Sequence, residues 1–118
     1  MRPDSPEFGK SVSVFLIHMG RQEDALEVLL AVAIDHPHFV DAHHLIGRVA
    51  FALGRHGQAL EAMRTAVALD PKNFDLRISL AQAERDVGRK STALDHINQI
   101  LATDPEYPAA KILQARWI

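Results

Sequence analysis

A chain that repeats itself at a fixed interval of 20 to 50 residues has few folds open to it. Each copy must be one supersecondary unit that buries its apolar face against the next copy. Here the segment Gly20-Arg21-Gln22-Glu23-Asp24-Ala25-Leu26 returns as Gly54-Arg55-His56-Gly57-Gln58-Ala59-Leu60 and again as Gly88-Arg89-Lys90-Ser91-Thr92-Ala93-Leu94, each step being 34 residues. Pro37, Pro71 and Pro105 keep the interval, as do the apolar positions Leu29, Met63 and Ile97. Five columns are identical in all three copies. Common residue types each occur at roughly 5–9%, so chance does not account for that agreement.

Between these landmarks the apolar residues recur at helical spacing: Leu45, Ile46, Val49, Ala50 and Leu53 before Gly54, then Ala59, Leu60, Met63 and Val67 after it. Each copy therefore reads as a helical hairpin. Gly20, Gly54 and Gly88 fall where a first helix ends, a place that favours the left-handed backbone glycine adopts freely. The three prolines follow each second helix, where a residue without an amide hydrogen ends one element and starts the next. The pattern predicts helices over about 6–19, 22–35, 40–53, 56–69, 74–87, 90–103 and 107–118. That is an all-α chain of about seven helices.

At this point the sequence resembles the tetratricopeptide repeat. The middle copy carries Ile46-Gly47, Ala50, Ala59, Met63 and Pro71 at the family's spacing, with His43 where the pattern has tryptophan. The third copy has Arg77, Leu80-Ala81, Glu84, Ala93, Ile97 and Pro105, departing at both aromatic positions. The first reads Gly9, Val12-Ser13, Leu16, Ala25, Leu29 and Pro37, again without the aromatics. The resemblance implies a right-handed α-solenoid of antiparallel helix pairs forming a single domain over 1–118. Its repeats span about 6–39, 40–73 and 74–107, and 108–118 is a C-terminal capping helix.

The same resemblance implies a protein or peptide partner held on the concave face, which the first helix of each repeat lines. Setting aside the core positions leaves Glu7, Lys10, Val14 and Ile17; Asp41, His44, Arg48 and Phe51; Asp75, Ile78, Gln82 and Arg85; and Ile112 and Arg116. From these the expected peptide-binding set is Lys10, Val14, His44, Arg48, Phe51, Ile78, Gln82, Arg85, Ile112 and Arg116. Three arginines with apolar residues between them suit an acidic, amphipathic segment. Surface arginines on helices are also commonly just solvated, and a stripe of three needs no ligand to explain it. Relatives that clamp a C-terminal carboxylate use Lys and Asn on these helices. Lys10 matches one clamp site, but the others carry Val14, Leu45, Asp75 and Ser79, so that ligand class is not expected.

Other functions find little support. A net charge of -2 and a pI near 6.4 give no basic field for nucleic acid. The apolar run Val12 to Ile17 is too short to insert in a membrane, and a cytoplasmic location is the default expectation. With no cysteine, thiol catalysis and thiolate zinc sites are excluded. There is no phosphate loop, nucleophile motif or carboxylate pair at an expected pocket, so neither catalytic residues nor cofactors are expected. His36, His38, His43 and His44 crowd the first junction between repeats, yet packing and turn capping account for three of them, and no metal site is expected.

The stack's ends raise a different possibility. Trp117 and Ile118 stand at the tip of the last helix, where something should cover them. A cap on the preceding hairpin, docking on a second copy as a weak homodimer through this helix, or a longer natural chain would each do so. The alternative to a peptide-binding adaptor is thus a scaffold that self-assembles through its stack ends.

Overall fold

The computed structural model describes residues 4–118. Among them are seven helices and no strand: α1 (Pro6–His18), α2 (Gln22–Asp35), α3 (Val40–Ala52), α4 (His56–Leu69), α5 (Phe74–Asp86), α6 (Lys90–Thr103) and α7 (Pro108–Trp117). Each lies within about one residue of its expected bounds.

The turns repeat as closely as the sequence does. Gly20, Gly54 and Gly88 have φ of 76°, 79° and 93°, and they are the only residues with positive φ among those described. In each turn the following arginine donates its backbone N–H back across the helix end. Arg21 reaches Leu16 O at 2.8 Å, Arg55 reaches Ala50 O at 2.9 Å and Arg89 reaches Glu84 O at 2.8 Å. These bonds satisfy carbonyls that the helix end leaves free, and they send the chain back antiparallel. α1 pairs with α2, α3 with α4 and α5 with α6.

By compactness the chain forms two units, one ending at Asp70 and one beginning at Pro71. In the first, α3 packs on α2 and more lightly on α1. Its core joins Leu26 and Leu29 of α2 to Ile46 and Val49 of α3 and Ala62 of α4. Burying a leucine side chain contributes about 1.5–3 kcal/mol, so these few contacts carry much of the stacking. Inside the middle hairpin the helices come so close that a Cβ on Gly47 would lie 2.6 Å from Met63 Cγ. In the first hairpin Ser13 is fully buried, and its hydroxyl donates to Gly9 O at 2.8 Å.

In the second unit, Ile78 and Ala81 of α5, Ala93, Ile97 and Ile100 of α6, and Ala110 and Leu113 of α7 form one cluster. α7 packs on α6 through Ala110 and Leu113, and Trp117 lies half-buried against the same cluster. Ile118 stays in solvent, 86% exposed.

Candidate functional site

The first unit holds a groove of about 250 Å³ between α1 and α3, continued by the start of α2. Val14 and Ile17 form one wall and Leu45 and Val49 the other, with Arg48 at the rim. The helical period explains the arrangement. Residues 14 and 17 share a face of α1, and 45, 48 and 49 share a face of α3. Arg48 is exposed and forms no ion pair with any described residue. A cation beside an apolar trough can attract a carboxylate while the trough takes the hydrophobic residues next to it.

His44 stands one turn before Arg48. Its Nε2 is shielded from solvent without a hydrogen-bond partner. Burial pushes its pKa below the usual histidine range, the Arg48 charge adds to that, and Asp41 opposes it. The ring is therefore held neutral near pH 7, leaving Arg48 as the local cation.

Other residues of the expected set make contacts of their own within the chain. Lys10 reaches Asp41 with its Nζ 2.7 Å from the carboxylate, a bond that raises the lysine's pKa. It neutralises α3's first turn and is not an open clamp. Phe51 packs edge-on against His56 with ring centroids 4.7 Å apart, and it does not line the groove with Arg48. In the second unit Ile78 is only 8% exposed and belongs to the core, because that face of α5 meets α6 and α7. The Arg85 guanidinium lies 5.2 Å from the centre of the Trp117 ring, a cation–π contact within the unit. Gln82, Ile112 and Arg116 are exposed. Of the ten residues, only Val14 and Arg48 line this groove, with His44 beside them.

The histidines at the first junction serve the turn. His43 Nε2 lies 2.8 Å from Pro37 O, and His36 Nε2 lies 3.2 Å from Asp4 O. A larger hollow of about 650 Å³ lies between α2 and α4, lined mainly by Leu30, Ala33, Ile34, Ile46 and Ala62. It has no basic side chain apart from His43, so it offers grease without an anchor. The sequence did not reveal the contact between Glu84 and His96, which lie 2.9 Å apart at carboxylate Oε1 and ring Nε2. The signal was present: an acid at an aromatic position, with an imidazole twelve residues later on the paired helix.

Comparison with known proteins agrees with this geometry. Two family models, both described as tetratricopeptide repeat, match residues 17–74 and 50–116. No curated protein matches the chain in sequence. Among solved structures, MamA is 19% identical with a TM-score of 0.81, the match covering 92% of this chain and 63% of MamA. A thermophilic TPR protein of Thermus thermophilus is 22% identical with a TM-score of 0.83, covering 98% and 64%. This chain thus spans slightly less than two thirds of either protein. The first TPR of Spaghetti, solved bound to the HSP90 peptide SRMEEVD, is 14% identical with a TM-score of 0.84, covering 99% and 93%. At such identities the likeness concerns the fold, which is all-α and of the helical-solenoid class, a class that serves protein–protein interaction. The repeat interval, the three glycine turns and a family match over more than half the sequence agree: the chain belongs to the tetratricopeptide repeat family.

Proposed function

We propose that the chain is a non-catalytic adaptor that holds an acidic, amphipathic segment of another protein in the groove between α1 and α3. The observation that carries this reading is Arg48, a cation without an ion-pair partner at the edge of an apolar trough. A carboxylate of the segment would pair with Arg48, and an apolar residue one helical turn away would rest on Val14, Ile17 and Leu45. A relative of the same fold is solved with a peptide containing consecutive glutamates, which supports an acidic ligand in kind. Lys10, already held by Asp41, speaks against capture of a C-terminal carboxylate at that site.

The test is recovery of partners from a cell extract with the wild-type chain and with Arg48→Glu, after both prove equally helical and soluble. Truncating or reversing a central arginine costs about 1–4 kcal/mol of binding, so the variant should lose its main partners. It should also associate more slowly and with weaker salt dependence, since charge complementarity acts largely on the encounter rate. Equal recovery of the same partners would show that the groove is idle.

A further inference from the structure

The 34-residue interval separates what the repeat needs from what one copy adds. Leu30 and Ile34 of α2 stand at positions that hold Arg64 and Ala68 one interval later and Asn98 and Ala102 after two. All six are exposed, Ile34 by 80%. Packing within a repeat therefore asks for no large apolar residue at either position, and of the three copies only the first supplies one. Both residues line the hollow of about 650 Å³ between α2 and α4, with Ala33, Ala62 and the buried Ile46 of α3 behind them. The three helices that enclose this hollow all belong to the first unit, so it does not arise from an end of the stack. An exposed apolar patch of this kind marks an interaction site.

The surrounding charge selects the partner. Leu30 also borders a second hollow of about 280 Å³, lined by Glu23, Asp24 and Glu27 of α2 together with Arg55. Two of these acids are matched, Glu23 lying 3.4 Å from Arg55 and Asp24 2.8 Å from Arg21. Glu27 on α2 and Glu61 on α4 form no ion pair with any described residue. Arg64, one turn beyond Glu61, lines neither hollow. His43 directs its Nε2 to Pro37 O. Carboxylates on both helices beside an apolar trough repel an acidic ligand and attract a basic one.

We infer that this face receives a basic amphipathic helix of another protein. Its apolar residues rest on Leu30, Ile34 and Ile46, and its lysines or arginines pair with Glu27 and Glu61. A trough between two helices suits a third laid along it. From Glu23 to Ile34, α2 provides three turns, roughly 16 Å, enough for anchors at i, i+3 or i+4 and i+7. The surface is separate from the groove at Arg48 and opposite to it in charge, since the two share no lining residue. It therefore stands or falls independently of the acidic segment proposed there.

The probe is a synthetic helical peptide of about 14 residues, with leucines at i, i+3 and i+7 and lysines on either flank. A twin peptide carries glutamate in place of every lysine. Titrated into the whole chain, the lysine peptide should shift the methyl resonances of Leu30, Ile34, Ala33 and Ala62, and the glutamate twin should leave them unmoved. Glu27→Lys with Glu61→Lys should weaken the lysine peptide by about tenfold or more and admit the glutamate twin at the same methyls. Leu30→Arg with Ile34→Ala gives the first repeat the residues of the second, so helicity should hold while affinity falls by a similar factor. A lysine peptide that does not bind, equal binding of the twins at these methyls, or an affinity indifferent to both pairs of substitutions would overturn the inference. So would shifts confined to Val14, Ile17 and Leu45, or shifts at the hollow that follow the concentration of the chain alone, because its occupant would then be a second copy.

Discussion

The middle and third hairpins share a turn, a period and a register, yet they fill the same internal positions with opposite chemistry. In the middle hairpin the paired positions hold Ala50 and Ala62, both buried. In the third they hold Glu84 and His96, with Glu84 only 2% exposed. The contact of 2.9 Å, between Glu84 Oε1 and His96 Nε2, lies off the line of a hydrogen bond and leaves that oxygen without one; the other ring nitrogen, Nδ1, also has no partner. Close by, the middle hairpin sets Gly47 beside the long, flexible Met63, where the third has Ala81 and the stiffer Ile97. The backbone of this repeat tolerates either solution. What it requires is that each side chain be matched by the one it faces.

The largest effect should come where the two hairpins agree. Ala59 and Ala93 are both fully buried at the equivalent position. Ala59→Leu and Ala93→Leu should each overpack the hairpin and destabilise by about 1–3 kcal/mol in chemical denaturation. A neutral result at one but not the other would mean that the hairpins are not packed alike, which would break the comparison at its base.

The difference between the hairpins can be tested by making the third resemble the middle. His96→Ala alone leaves a buried carboxylate without its partner and should cost about 1–2 kcal/mol. Glu84→Ala together with His96→Ala reproduces the middle hairpin's pair and should recover part of that loss. A double-mutant cycle then measures the coupling. Additive losses would show that the two groups do not stabilise each other. A double variant more stable than the wild type would show that the buried polar pair is retained at a net cost.

The contrast also marks where sequence reasoning reaches its limit. The interval, the glycine turns and all seven helices were legible because backbone geometry depends on local sequence and on small residues at fixed places. The groove was legible only in part. Helical period assigns a residue to a face, but the first helix of a repeat meets both its own hairpin and its neighbour, so a residue near the border of two faces can turn either way. Ile78 turned inward. Lys10, Phe51 and Arg85 stay near the surface, but Asp41, His56 and Trp117 hold them, and those partners lie 31, 5 and 32 positions away in the sequence. Period alone does not select such partners. They depend on side-chain reach at contacts that exist only once the helices are packed.

The smallest effect concerns one repeat position that recruits different partners in the two units. Asp41 and Asp75 are separated by one interval. Asp41 holds Lys10, whereas Asp75 accepts a hydrogen bond from the hydroxyl of Tyr107, just before α7. That bond is the main reason the tyrosine is pushed up to about 12, with smaller contributions from burial and from the charges of Asp75 and Asp104. The neutral phenol donates to the carboxylate, while the tyrosinate cannot donate and is repelled by it. The folded state thus keeps its proton to higher pH than the unfolded chain, whose tyrosine titrates near 10. The stabilisation is complete below pH ~10 and falls as the pH rises towards 12, the folded state binding more protons throughout that window. Because the chain has a single tyrosine, its ionisation can be followed by ultraviolet absorbance without overlap. Asp75→Ala should bring the midpoint down towards the ordinary value while leaving the helices intact, since both partners lie at the surface. A wild-type midpoint already at the ordinary value would mean that Asp75 holds nothing. The two aspartates would then differ because Asp41 is anchored and Asp75 is free, and not because each has its own partner.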